Sequence, residues 1–315
     1  MSSTTPTPTA DAPPDRFGHA VHAEAAELET VPLRHWGRWA AAAVVVFLSA
    51  GFLWSLARNP NLEWDVVGDY LFEDFVIRGV GITLLLTVVA MVIGTIGGVL
   101  VAVMRLSSNP VLRGLSWGYT WFFRGTPLLV QIIFWGFLAA LYPQLELGVP
   151  FTDITLLSAD TNAVVGPMTA AILALSLNEV AYAAEIVRGG IASVDDGQDD
   201  AASALGLTRA QAMRTITLPQ AMRVIVPPMG NETVTMLKST ALVSVIGGKD
   251  LLTAVQSVYA QNYQVIPLLV VAVIWYLALT SLLSVGQFFL ERKYGKGHGT
   301  TASMGQRWLG RGVTR

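Results

Sequence analysis

The sequence predicts an all-α polytopic membrane protein with six transmembrane helices, and three observations lead to this class. Hydrophobic residues make up 53% of the 315-residue chain and charged residues only 13%, and the mean hydropathy is +0.53, well outside the usual composition of soluble domains. Apolar segments long enough to cross a bilayer recur along the chain. Arginines cluster in alternate connecting segments, a bias that marks the cytoplasmic side of a membrane protein.

Composition also excludes several classes. The chain has no cysteine, so it holds neither disulfides nor thiolate metal sites. It lacks a Gly-x-x-x-x-Gly-Lys-Ser/Thr nucleotide loop and any buried Ser/His/Asp or Cys/His set for nucleophilic catalysis. All four histidines lie in polar tails, at His19, His22, His35 and His298. We therefore expect a non-enzymatic chain with no catalytic residue, metal or cofactor of its own, and its net charge of −2 gives no reason to expect nucleic acid.

The chain divides into four predicted parts. Residues 1–38 are rich in Ser, Thr, Pro and Ala and are predicted to form a disordered cytoplasmic tail. Residues 39–76 comprise an accessory transmembrane helix and an external loop with a short interfacial helix. Residues 77–292 form the main transmembrane domain, and residues 293–315 form a basic cytoplasmic tail. Both termini are thus expected on the cytoplasmic side.

The main domain contains five of the six predicted spans. In the first of them, Gly94 and Gly98 are four residues apart, a spacing that lets another helix approach closely. The second contains Arg124-Gly-Thr-Pro127, a combination that is costly in a lipid-facing helix. The five spans are predicted at residues 77–104, 115–142, 164–187, 223–247 and 265–290. Whether the polar segment 225–247 crosses completely is left open.

Polar residues within these spans predict a substrate path, because ionisable groups at membrane depth are costly and usually functional. The candidates are Arg124, Asn178, Glu179, Tyr182, Glu232 and Lys238. Arg124 either faces a water-filled path or reaches the cytoplasmic interface, and the sequence leaves both open. Glu185, one turn before Arg188, is interpreted as one half of an interfacial ion pair.

A polar stretch at Arg188–Pro219 interrupts the hydrophobic blocks. Its pattern predicts two short helices joined by a turn. Gly206 suits the left-handed residue that closes a helix, and Thr208 with Gln211 forms a capping box that starts the next one. Pro219 is predicted to end this second helix.

The order Asp200-Ala-Ala, Gly206 and Ile216-Thr-Leu-Pro219 resembles the EAA loop in the membrane subunits of bacterial ABC importers. Asp200 replaces that family's glutamate, which keeps the charge and shortens the side chain by one methylene. The resemblance covers about Gly79 to Gly295. Further segments resemble the polar amino-acid permease branch: Phe123-Arg-Gly-Thr-Pro-Leu-Leu-Val-Gln131, Leu177-Asn-Glu-Val-Ala-Tyr182, Ala184-Glu-Ile-Val-Arg-Gly-Gly190, Gly197-Gln198, Leu218-Pro-Gln-Ala221 and Lys238-Ser-Thr-Ala-Leu242.

The resemblance implies a permease subunit that imports a polar amino acid (glutamate, glutamine, arginine, histidine or a relative) across the cytoplasmic membrane of a bacterium. It implies that the 188–219 loop docks on an ABC ATP-binding subunit, present in two copies, which binds ATP and Mg. The other implied partners are a second permease subunit, identical or related, an external amino-acid-binding protein, and membrane lipid. The residues implied in coupling to the ATPase are Asp200, Ala201, Ala202, Gly206, Ile216, Leu218 and Pro219.

One alternative from a different class is an ion-coupled secondary amino-acid transporter. In that hypothesis Glu179, Glu185 or Glu232 carries protons. It explains the buried carboxylates but gives the 188–219 loop no role. A DNA-binding helix–turn–helix is disfavoured, because the loop is not basic overall and lies between spans.

Overall fold

The computed structural model describes residues 36–149 and 155–294. Most of the predicted N-terminal tail, residues 1–35, and nearly all of the predicted C-terminal tail, residues 295–315, lie outside the described residues. The predictions for these tails therefore stay predictions.

The chain separates into two compact units, Met1–Asn59 and Pro60–Arg315. In the first unit the described residues form helix α1, Trp36–Ala57. This helix is long and apolar enough to cross a membrane, in agreement with the predicted accessory span. Its sequence is apolar on all sides of the helix, which is typical of a membrane span.

In the described residues, the second unit consists of helices and one short β-hairpin. It begins with a 3-10 turn and a short helix, in the segment where the sequence predicted a short helix. In chain order its elements are a 3-10 turn (Pro60–Leu62), α2 (Trp64–Tyr70), α3 (Asp74–Leu106), α4 (Pro110–Gly125), α5 (Leu128–Gly136), α6 (Leu138–Leu141), β1 (Gln144–Gly148), β2 (Thr155–Asp160), α7 (Thr161–Val164), α8 (Pro167–Ala192), α9 (Asp196–Ala204), α10 (Arg209–Ala212), a π turn (Met213–Thr217), α11 (Leu218–Ser239), a 3-10 helix (Thr240–Ile246), α12 (Leu251–Asn262) and α13 (Val265–Tyr294).

Among the described residues, α1, α3, α8 and α13 are each long and apolar enough to cross a membrane. The helical run Arg209–Ile246 and the helix Leu251–Asn262, bent by 42° with respect to each other, meet this criterion as a pair. The described chain therefore has four helices that could span a membrane, or five with that bent pair. The all-α polytopic class is confirmed, and the total of six crossings stays a prediction.

The span expected at residues 115–142 is not one continuous helix. Helix α4 ends at Gly125 and α5 begins at Leu128. Pro127 lies between them and has no N–H group to donate to the carbonyl of Phe123, so the regular helical ladder stops here. The residue before a proline also avoids the helical region, and Thr126 is accordingly extended.

The outside loop predicted at residues 143–162 contains regular structure that the sequence analysis missed. Strands β1 and β2 pair antiparallel, with Gln144 opposite Asp160 and Leu145 opposite Ala159. The two strands form a two-stranded sheet.

The closest packing lies between α3 and α8. A Cβ atom added at Gly94 would lie 2.2 Å from Cγ of Glu179, and one added at Gly98 would lie 2.5 Å from Cβ of Ala183. Only glycine permits this approach, which confirms the prediction made from the glycine spacing. The contact brings the backbone of α3 directly against the acidic part of α8.

Candidate functional site

The first helix of the 188–219 loop, α9, ends as the sequence predicts. Gly206 has a φ angle of 75°. Its N–H donates to Ser203 O at 3.0 Å, and the N–H of Leu207 donates to Ala202 O at 3.0 Å. This pair of bonds is the Schellman ending of a helix, in which glycine adopts the left-handed conformation without a steric penalty.

The second helix of the loop begins with the predicted capping box. The N–H of Thr208 donates to Oε1 of Gln211 at 2.9 Å, and the N–H of Gln211 donates to Oγ1 of Thr208 at 3.4 Å. These two bonds satisfy backbone donors that a helix start would otherwise leave unpaired. The hydrogen bonds that shape the turn therefore join residues close in sequence.

The prediction that Pro219 ends this helix is wrong. Pro219 is the second residue of α11, and the chain stays helical through it. A wide π turn at Met213–Thr217 comes just before, in which the N–H of Leu218 donates to Met213 O, five residues back. The wider turn accommodates a residue without an N–H near a helix start, where proline is tolerated.

The predicted coupling residues occupy both faces of the loop. Ala202 and the neighbouring Ala212 are buried, and Oγ1 of Thr217 donates to Oδ1 of Asp199 at 3.3 Å, which joins α9 to the π turn. Ile216 is half-buried. The remaining coupling candidates are exposed: Asp200, Ala201, Gly206, Leu218 and Pro219.

The loop also exposes an apolar side chain that the list of coupling candidates omitted. Leu205 is 78% exposed and lies one helical turn after Ala201, beside Gly206. Of Ala201, Ala202 and Leu205, only Ala202 packs inward. Leu205 thus adds an apolar side chain to the exposed part of the loop.

A polar cluster forms where α4, α8 and α11 meet. The guanidinium of Arg124 lies 5.3 Å from the ring centroid of Tyr182, within the range of a cation–π contact. Arg124 is close enough to Glu232 for their charges to interact, and Glu232 in turn interacts with Glu179. Lys238 is exposed further along α11, and no described contact joins it to the cluster.

Glu179 is the most enclosed member of this cluster. Its side chain is 2% exposed and packs against Gly94 of α3. Its Oε1 atom has no hydrogen-bond partner within the described part of the chain. A buried carboxylate oxygen without a partner is costly, which makes Glu179 a candidate for binding a group that arrives from outside the chain.

Asn178 contacts protein groups. Its Nδ2 atom donates to Phe123 O at 3.0 Å and to Oε1 of Gln131 at 3.3 Å. Phe123 and Gln131 lie on either side of the break at Pro127, so Asn178 connects α8 to both helices. Gln131 was not among the predicted site residues. Its proximity to Pro127 in the sequence was the available signal.

The predicted ion pair between Glu185 and Arg188 is present. Nε of Arg188 donates to Oε2 of Glu185 at 3.0 Å, and a second contact joins Nη2 to Oε1. Both side chains are about one-third exposed, so the pair contributes little stability, roughly 0–1 kcal/mol for such partly solvated pairs. Glu185 is thereby engaged with a cation.

The long apolar helices place the chain among polytopic membrane proteins, and comparison with known proteins makes the class more specific. Residues 90–296 match the family described as "Binding-protein-dependent transport system inner membrane component", and the chain belongs to this family. It is a permease of the polar amino-acid ABC transporter type.

Two relatives illustrate the family. The arginine transport system permease protein ArgU of Corynebacterium glutamicum is 43% identical over 280 residues, covering 89% of this chain and 87% of the relative. The probable amino-acid ABC transporter permease protein YckA of Bacillus subtilis is 35% identical over 240 residues, covering 74% of this chain and 97% of the relative. These relatives give no support to an ion-coupled secondary transporter.

Similarity to solved structures is consistent with this family assignment. An amino acid ABC transporter crystallised with histidines has 36% sequence identity and a TM-score of 0.58, covering 70% of this chain and 94% of that one. A structure of the MetNI methionine ABC transporter in an inward-facing conformation, at 21% identity and a TM-score of 0.55, shares the fold.

Proposed function

We propose that this chain is the transmembrane subunit of an ATP-driven importer and that a separate ATPase docks on the 188–219 loop. The observation that carries the proposal is the exposed surface formed by Asp200, Ala201, Leu205 and Gly206 on a helix pair with its own caps. A rigid, self-capped pair can transmit a push or pull to α8 and α11, which flank it. The transport mechanism is alternating access, driven by closure of two ATP-binding subunits.

The proposed substrate is a polar amino acid with a cationic side chain, and arginine is the first candidate. The name of the 43%-identical relative supports arginine. The polar cluster also suits such a substrate. Glu179 and Glu232 would attract the cationic side chain and the α-ammonium group, and Arg124 would bind the α-carboxylate through charge-assisted hydrogen bonds.

The proposed path is completed by a second permease subunit. Arg124 and Lys238 are exposed on the isolated chain, although they belong to segments predicted to lie at membrane depth. Charged groups there face a bundle interior or water rather than lipid. Two copies, or two related chains, would therefore enclose the path, and an external binding protein would deliver the substrate. Both termini would lie in the cytoplasm.

Docking on the loop is tested by co-purification of the ATPase from mild detergent. Gly206→Arg should abolish it, because any side chain at a φ angle of 75° is strained and arginine would occupy the docking surface. Gly114→Arg is the matched control, since Gly114 has no atom within 4 Å of an added Cβ and no positive φ angle. Retention of the ATPase by the Gly206 variant would remove the loop from the mechanism.

A further inference from the structure

The break between α4 and α5 leaves a backbone carbonyl without its helical partner. In a regular helix the N–H of residue 127 would bond to Phe123 O, but that residue is proline. An unpaired carbonyl within a span is costly, because lipid offers no hydrogen-bond donor. Such a break persists only where other groups of the protein satisfy it.

The side chain of Gln131 supplies the missing donor. It is 5% exposed and lies at the start of α5, directed back over the break. Its Nε2 atom lies 3.0 Å from Phe123 O, 3.1 Å from Thr126 O and 2.8 Å from Oγ1 of Thr126. One carboxamide on α5 therefore bonds to the last turn of α4 and to the residue before Pro127.

Asn178 on α8 completes the same network. Its Nδ2 atom shares the Phe123 carbonyl with Gln131 and also donates to Oε1 of Gln131. A second bond between α4 and α8, from the hydroxyl of Tyr119 to Leu177 O at 2.7 Å, lies beside it. The end of α4 is thus fixed to α8 in both position and register.

This fixed point lies next to the charged group of the polar cluster. Arg124 follows Phe123 directly in the chain, and its guanidinium contacts Tyr182, which lies one helical turn after Asn178 on α8. The anchor and the contact are therefore on neighbouring turns of one helix. A shift of α4 against α8 at the anchor would move the guanidinium away from Tyr182 and the acidic side chains.

We propose that Gln131 is a positioning residue for substrate recognition, which acts by holding the broken span so that Arg124 faces the polar cluster. The proposal rests on the proposed function, since it assigns the substrate contact to Arg124. Gln131 itself does not touch the substrate. The rival explanation is that Gln131 only stabilises the fold and has no specific connection to Arg124.

The experiment is a double-mutant cycle on arginine uptake into ATP-loaded proteoliposomes containing the complete complex. Gln131→Glu keeps the shape of the side chain but replaces the donating amide by an acceptor that repels the carbonyls. We expect it to reduce uptake of radiolabelled arginine at least tenfold, and we expect Arg124→Ala to do the same. Because both act through one guanidinium, Gln131→Glu should change uptake less than twofold in the Arg124→Ala background.

Thermal melting in detergent separates positioning from folding. A purely structural role would lower the melting temperature and reduce uptake by the same factor in both backgrounds, and that result would overturn the proposal. If Gln131→Glu fails to insert, Asn178→Leu replaces it, since this change removes the second donor to Phe123 O. We expect Asn178→Leu, like Gln131→Glu, to change arginine uptake less than twofold in the Arg124→Ala background.

The failure of this inference can be told apart from failure of the proposed function. If Arg124→Ala leaves ATP-driven arginine uptake unchanged, Arg124 makes no substrate contact that Gln131 could position. That result contradicts the inference about Gln131 and leaves the importer assignment intact. If the native complex shows no ATP-driven uptake of arginine or glutamine, the proposed function falls first.

Discussion

The 188–219 loop and the polar cluster are built in opposite ways. The helix ends and the turn of the loop are shaped by bonds between residues three to five apart, such as the capping box of Thr208 and Gln211. The cluster is held by bonds between residues far apart in sequence, such as the one from Asn178 to the Phe123 carbonyl, 55 residues away. Substitutions in the loop should therefore change docking and leave the fold intact, whereas substitutions around the cluster act on contacts between helices of the membrane domain.

The largest effect is expected where α3 meets α8, beside the cluster. Gly98→Leu would place a side chain 2.5 Å from Cβ of Ala183 and 2.9 Å from the Ala184 backbone nitrogen. The helices cannot move apart without disturbing Glu179, so we expect a loss of about 3 kcal/mol in the free energy of unfolding. Thermal melting of the purified protein measures it.

Gly81→Leu is the control for that change. Gly81 lies on the same helix, and no atom lies within 4 Å of a Cβ added there. The melting temperature of the Gly81→Leu variant should therefore stay near that of the native chain. Because leucine is a better helix former than glycine, equal destabilisation by both variants would mean that the α3–α8 contact does not set the cost.

The next effect concerns the charge of the cluster. Glu179→Gln keeps the packing against Gly94 but removes the negative charge, so arginine uptake should fall about tenfold, equivalent to about 1.4 kcal/mol, with a smaller loss for glutamine. Glu291→Gln, an exposed position on α13, should leave both substrates unaffected. Equal losses for the two substrates would contradict a role for Glu179 in charge recognition.

A smaller effect is expected in the loop. Thr208→Ala removes the cap of α10 and should cost about 1 kcal/mol of local helix stability, lowering ATP-driven uptake severalfold while the melting temperature of the membrane domain stays constant. Thr208→Ser retains the hydroxyl and should restore uptake. A drop in the melting temperature would show that the loop and the membrane domain unfold together.

The smallest effect concerns Asp200, where the resembling family has glutamate. Asp200→Glu lengthens the side chain by one methylene and should slow dissociation of the ATPase about twofold, in the range of a single exposed charge contact. Asp200→Asn should speed dissociation by a similar factor. No change in either variant would place Asp200 outside the docking contact.

The contrast between bonds that join residues close in sequence and bonds that join residues far apart also explains what the sequence could predict. Gly206, the capping box and the long apolar helices were predictable because their causes are local. The π turn that carries the helix through Pro219 was not, since several hydrogen-bonding patterns can accommodate a proline near a helix start. The Arg124-Gly-Thr-Pro127 segment was recognised as unsuited to a lipid-facing helix, but its partner Asn178 could be found only in three dimensions.

The polar cluster was predicted as a set of residue types and not as an arrangement. Glu179, Tyr182, Glu232 and Arg124 do come together, because α4 and α11 both pack against α8. Lys238, chosen for its charge alone, lies apart from them. Charge at membrane depth identifies candidates, but helix packing decides which of them meet.

The most direct test of the account is arginine uptake into proteoliposomes that contain the complex, with binding protein outside and ATP inside. The account predicts uptake that requires internal ATP, persists when an ionophore collapses the ion gradients, and is lost in Gly206→Arg but retained in Gly114→Arg. Uptake that proceeds without ATP and stops with the ionophore would contradict it.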